Sequence, residues 1–169
     1  MYPAGNLVKL APTVINSAVA AGDIVFTKQE IKNAVSSRGG CSLLTTVTAF
    51  IEGAATNDDL TLLFFDNSTA LGAAIDDPAS DITADEFRTA SCIGVINING
   101  GTSTISAGNG LLYSNEPNQS SSSFGASPLL IKAEGGSTSI WVAMIQPAGT
   151  LNMTDTDSMT LTFGFQYLD

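Results

Sequence analysis

The chain has no histidine, which removes the commonest general base and the commonest metal ligand. Ser–His–Asp and Cys–His nucleophilic catalysis are thereby excluded. Charge is scarce as well: Asp, Glu, Lys and Arg make up 13% of the residues, against roughly 25% in an ordinary soluble domain. Solvated helices need charged outer faces, so this shortage argues against a helical protein. Basic residues are the scarcest, six Lys plus Arg against sixteen Asp plus Glu, for a formal charge of −10. A phosphate backbone is repelled by such a chain, and nucleic acid is not expected as a partner. Nor is a membrane expected: the apolar stretch Val14 to Val25 is broken by Asn16, Ser17, Gly22 and Asp23, well short of the roughly 18 residues of a spanning helix. The opening Met-Tyr-Pro-Ala-Gly lacks the basic patch and apolar run of a leader, so none is expected. Two cysteines, Cys41 and Cys92, are too few for a disulfide framework. Two reduced, largely buried thiols are expected, in keeping with a chain made in a reducing cytoplasm, and one Cys41–Cys92 bridge is the alternative.

The residues present favour strands. Hydrophobic residues reach 44%, and the place of charge is taken by Ser, Thr, Gly and Asn, which suit strands joined by turns. Met159, Leu161, Phe163, Phe165 and Tyr167 alternate with Thr160, Thr162, Gly164 and Gln166, the period of a strand with one face on a core. Residues 42–52 alternate similarly, with Leu43, Val47, Ala49 and Ile51 assigned inward, and Leu44 and Phe50 as apolar intruders on the outer face. Leu60–Phe65 and Ile140–Ile145 are apolar on both faces and are expected as central strands or as strands with an interface outside. Shorter strands are expected over Ile24–Ile31, Ile93–Ile98 and Leu129–Ala133. With a weaker N-terminal segment this makes about eight, the number of a β-sandwich or jelly roll. Turns are expected at Arg38-Gly39-Gly40, Asn57-Asp58-Asp59, Asp66-Asn67-Ser68, Gly100-Gly101 and Glu134 to Ser137. Thr83 followed by Glu86 has the spacing of a capping box, so one short helix is expected over 83–90. Asn115 to Ser127 reads as a long loop. The chain of 169 residues divides into residues 1–22, an N-terminal arm or edge segment, and residues 23–169, a single sandwich domain.

Motifs for chemistry are weak. Cys41 follows Gly39-Gly40, but no activating base or helix terminus accompanies it. The carboxylates Asp58, Asp59, Asp76, Asp77, Asp81, Asp85 and Glu86 lie in stretches that read as turns and caps. Asp76 to Asp81 invites calcium, yet it lacks the alternating ligand spacing of an EF-hand loop. Gly108-Asn109-Gly110 lacks the Lys and Ser or Thr of a phosphate loop and reads as a turn. No cofactor and no enzymatic activity are expected. Trp141, inside an apolar strand, reads as a core or subunit-interface anchor.

Two stretches carry a resemblance. Glu30-Ile31-Lys32-Asn33-Ala34-Val35, running through Gly39-Gly40 to Leu60-Thr61-Leu62-Leu63-Phe64-Phe65-Asp66-Asn67-Ser68, is the first. Ser139-Ile140-Trp141-Val142-Ala143 with Leu161-Thr162-Phe163-Gly164-Phe165 is the second. Together they resemble small virion proteins of tailed bacteriophages, especially those of aquatic bacteria, that decorate or cement the capsid. The resemblance runs from about residue 24 onward and leaves Met1 to Gly22 uncovered. It implies a β-sandwich or jelly roll, a homotrimer, and a place on the outer surface of the virion, bound to the major capsid protein. Alternatives from other classes are a tail or fibre module and a carbohydrate-binding adhesin module. On this reading Trp141, Phe65 and Leu63 are the expected subunit contacts, and Tyr2, Leu7, Val8 and Leu10 an arm against the shell.

Overall fold

Alternating and doubly apolar runs become twelve strands and one helix in the computed structural model, which describes residues 4–53, 58–100, 104–107, 110–114, 128–156 and 158–168. In chain order these are β1 (Gly5–Leu10), β2 (Ala18–Val19), β3 (Ile24–Ile31), β4 (Cys41–Glu52), β5 (Leu60–Phe65), α1 (Ala84–Thr89) and β6 (Cys92–Ile98). Then come β7 (Thr104–Ala107), β8 (Gly110–Ser114), β9 (Leu129–Lys132), β10 (Ile140–Ile145), β11 (Leu151–Asn152) and β12 (Met159–Tyr167). The expected loop Asn115 to Ser127, Tyr2, and Asn57, Gly101, Gly108 and Asn109 of the expected turns lie outside the described residues.

One sheet has the order β1-β12-β4-β8-β7, with β9 also on β4, and the other has the order β3-β10-β5-β6. Take β1, β3, β4, β5, β6, β8, β10 and β12 as eight successive strands. The first sheet then holds the first, eighth, third and sixth, and the second sheet the second, seventh, fourth and fifth. That order is the double Greek key of a jelly roll. The short β2 and β11 pair with each other. More strands form than the eight expected, because β2 and β11 are too short to show a period, and β7 shows only Ile105 between polar neighbours.

The core lies between the sheets. Leu60, Leu62 and Phe64 of β5, with Ile140, Val142 and Met144 of β10, meet Val47, Ala49 and Ile51 of β4 and Leu161 and Phe163 of β12. Phe64 and Phe163 cross the interface edge to face, centroids 6.0 Å apart, the arrangement favoured by the ring quadrupole.

One sequence assignment changes. Leu44 is buried and Leu43 only half-buried, the reverse of the expected alternation. The pairing of β12 with β4 steps from Gly164 opposite Thr46 to Phe165 opposite Leu44, so Thr45 is an extra residue. A bulge shifts the period by one; Ser42 and Leu44 point inward before it, and Val47, Ala49 and Ile51 after it. The Thr45 hydroxyl donates to the Gly164 carbonyl at 3.0 Å and holds the bulge against β12.

At the N-terminus, β1 pairs along β12 from Gly5 opposite Gln166 to Leu10 opposite Leu161, while Val14 and Val19 are buried. This segment is an edge strand of the sandwich. It gives β12 a backbone partner that its own side of the sheet otherwise lacks.

The connection between β5 and β6, residues 66–91, does not follow the sheet edge. It folds back over the outer face of the second sheet, where Leu71 and Ala90 join Leu63, Phe65 and Ala143 in a second apolar cluster flanked by Ile82, Cys92, Val95, Trp141 and Ile145. The helix in it starts as its sequence indicates: the Thr83 Oγ1 accepts from the Glu86 amide at 3.2 Å, and the Glu86 carboxylate accepts from the Thr83 amide at 2.8 Å.

Candidate assembly surfaces

The two outer faces of the sandwich differ. On the second sheet the apolar outer residues are covered by the chain itself. Phe65 is fully buried and Leu63 nearly so, under residues 66–91. As exposed subunit contacts they are therefore replaced by an intramolecular role, because the long crossover had to lie somewhere and the apolar face offered burial. Trp141, next to Phe65 across the β10–β5 register, is half-buried at the margin of the same cluster.

The first sheet presents a different surface. Inward pointing of Val8, Ala49, Ile51, Leu111, Tyr113 and Ile131 turns their strand neighbours outward by alternation. Ile105, Leu112 and Phe50 lie side by side in register across β7, β8 and β4, and Leu130 lies beside Leu43 across β9 and β4. Leu7 stands on the edge strand opposite Gly164 and Thr46. Leu7 is 72% exposed, Ile105 67% and Leu130 58%. Between them run Thr48, Thr160 and Thr162, and among the described residues the charged ones pointing this way are Lys9, Glu52 and Lys132. For a chain of formal charge −10 this face is poor in charge and holds three of the exposed large apolar side chains. Next to Leu7 the bulge leaves an open depression of about 560 Å³ lined by Gly5, Asn6, Leu7, Thr45, Thr46, Gly164 and Phe165. Its floor is Gly164, whose missing Cβ would sit 2.3 Å from the Thr46 Oγ1.

The expected arm residues thus divide. Leu7 is presented to the outside, while Val8 and Leu10 pack on the core; Tyr2 is outside the described residues. Sequence reading found Leu7 and noted Phe50 as an intruder on a polar face. It missed Ile105, Leu112 and Leu130, whose grouping needs the order β9/β8-β4 that no local period discloses.

Asp23, Glu52, Asp58, Asp59, Asp76 and Asp77 lie at the end where β3 begins and β4 finishes, while the other end carries both signs, with Lys32, Arg38 and Lys132 beside Glu30 and Glu134. In the acidic turn Asp77 accepts from the Ala74 amide at 2.8 Å, and among the described residues no three carboxylate, thiol or imidazole groups converge as a metal site. Cys41 and Cys92 are free thiols, both half-buried, and burial pushes the Cys92 thiol up. No described helix is long and apolar enough to cross a membrane.

No protein-family model matches the chain, and no curated protein matches it. Among solved structures, the chain is similar to one from the sacbrood virus of the honeybee, at 11% identity and a TM-score of 0.30, covering 99% of this chain and 71% of that one. A likeness at that score is too distant to carry an argument, and the jelly-roll assignment rests on strand order alone.

Proposed function

We propose that this protein is a structural component of a virus particle, a decoration or cement protein that binds the outer surface of a capsid shell and works without catalysis. The observation that carries the reading is the outer face of the first sheet. Leu7, Ile105 and Leu130 stand exposed there on a threonine-lined surface with few charges among the described residues, in an otherwise acidic protein. A face of that kind is costly to leave in water and suits the desolvated centre of a protein interface. The jelly roll itself serves many functions, so it is compatible with the reading without deciding it. The resemblance to phage decoration proteins adds a homotrimeric state and the major capsid protein as partner. Many copies on a repeating shell make modest individual contacts sufficient through avidity.

The test is to strip or omit the protein from its particles and add it back. Bare shells are expected to bind it, and reloaded shells to gain resistance to heat and osmotic shock; shells equally resistant with and without it would end the cement reading. Mass measurement in solution is expected to show a trimer.

A further inference from the structure

Lys28 of β3 is half-buried and turns its amine onto protein. Because β10 separates β3 from β5, the side chain spans the intervening strand. It lies 4.1 Å over the Phe65 ring, against which Phe87 packs edge to face with centroids 6.2 Å apart. The Nζ donates to the Ala90 carbonyl at 2.9 Å and the Asn67 carbonyl at 3.2 Å, and it stands 3.5 Å from the Asn67 Oδ1. The side-chain amide of Asn67 is itself held at both atoms. Its Nδ2 donates to the Thr89 carbonyl at 3.2 Å, and its Oδ1 accepts from the Thr69 amide at 3.0 Å. An amine and a carboxamide are thus fixed side by side on an aromatic floor, from residues 39 positions apart. Asp66, next in the chain to Asn67, attracts Lys28, and its Oδ1 is buried without a hydrogen-bond partner.

We propose that Lys28 and Asn67 join in an isopeptide bond, made by the folded chain on itself, that ties β3 to the connection leaving β5. The neutral amine attacks the Asn67 Cγ and forms the Nζ–Cγ bond. The carbonyl electron pair moves onto Oδ1, where the Thr69 amide already points and stabilises the oxyanion. The proton shed by Nζ passes to Nδ2, relayed by the Asp66 carboxylate through a water. The carbonyl then re-forms, the Cγ–Nδ2 bond breaks, and ammonia leaves. An amine and a primary amide become a secondary amide and ammonia, so no oxidant, reductant or co-reactant is required. Holding the two groups in place substitutes for high concentration. The nucleophile is also available. Burial pushes Lys28 down to about 8, against the attraction of Asp66 and Cys92. On the order of one-tenth of it is then neutral at about pH 7, against about one in three thousand for an ordinary lysine. The bond closes a covalent loop from residue 28 to residue 67, and a cross-link of this kind stabilises by restricting the unfolded chain. This inference is independent of the capsid reading.

Mass spectrometry of the intact chain tests the proposal. The purified protein, held folded at about pH 8, is expected to become lighter by one ammonia, and protease digestion to release a branched peptide joining Lys28 to Asn67. Lys28→Arg keeps the charge and the donors but supplies no nucleophile, and it is expected to retain its full mass, as is Asn67→Ala. Asp66→Ala is expected to slow the loss by about a hundredfold, the contribution of a positioned proton carrier; an unchanged rate would overturn the relay. A wild-type chain that keeps its full mass would refute the bond. So would an ammonia loss that persists in Lys28→Arg, which would place it at a succinimide such as that of Asn99-Gly100. Loss of one water in place of ammonia would put Asp66 in the bond and overturn the choice of Asn67. If a variant does not fold, the wild-type peptide map decides alone, since the branched Lys28–Asn67 peptide is either present or absent.

Discussion

Replacing Gly164 with alanine tests the bulge that shapes the outer face of the first sheet. A Cβ at this position would lie 2.3 Å from the Thr46 Oγ1, with the Leu7 Cδ2 at 3.4 Å and the Thr45 Oγ1 at 3.5 Å. The first contact is far inside van der Waals distance and the other two are ordinary. Gly164 does not have a positive φ, so the backbone accepts alanine and the whole cost is the collision with Thr46. Overpacking of this kind costs about 1–3 kcal/mol. Thr46 is exposed and free to rotate, which places the expectation at the lower end, about 1–2 kcal/mol. Urea denaturation gives the number, with an unchanged slope showing that the unfolding reaction is the same. The second half of the test is Thr46→Ala, which removes the colliding oxygen. The pair Gly164→Ala with Thr46→Ala is expected to regain most of the loss, a coupling well above the roughly 0.3–0.5 kcal/mol scatter of independent sites. Simple additivity of the two changes would refute the placement of Thr45 as the extra residue and, with it, the depression beside Leu7.

Three further outcomes are expected. Leu7→Asp, Ile105→Asp and Leu130→Asp, singly, should leave thermal stability within about 0.5 kcal/mol because the residues are exposed, while co-sedimentation with shells falls roughly 30-fold or more wherever one is a hot spot. The pH dependence set by the free Lys28 amine has a definite sign. Lys28 has a lower pKa in the folded chain, about 8, than its ordinary 10.5, so the folded form binds fewer protons between these values and stability rises as pH rises through that window. The urea midpoint should therefore rise from about pH 7.5 to about pH 10.5, values that span the titration, and Lys28→Met should remove the trend. At the acid side, hydrogen bonds from the Thr83 hydroxyl and backbone hold the Glu86 carboxyl below its ordinary value. That cap is complete above the ordinary value and is lost as pH falls through the lowered one, seen as faster exchange of the Phe87 and Ala90 amides.

Much of the scaffold is legible in the residues because the determinants are local. The alternation of Met159 through Tyr167 specifies β12 over its full length, and Thr83 with Glu86 specifies the start of α1. Gly39 takes a positive φ of 71° in the expected turn, and Asn67 accepts from the Thr69 amide at 3.0 Å in another. Leu60–Phe65 and Ile140–Ile145, apolar on both faces, are the two central strands of their sheet. Each of these depends on neighbours within a few positions, and period, capping and turn chemistry act at that range.

What lay beyond that reach was everything set by partners far along the chain. Two apolar faces announced that β5 and β10 are covered twice, but only the fold decides that the second cover is the chain's own residues 66–91. Leu43 and Leu44 differ by one position, and their exchange of faces depends on Gly164, over a hundred residues later, stepping past Thr45. The outer apolar row needs β7, β8 and β4 in register. Composition determined an acidic, histidine-free, strand-rich protein, since those properties are sums over residues. Which apolar side chains remain in water is a difference between burial in one sheet and exposure on another, and only the tertiary structure decides it.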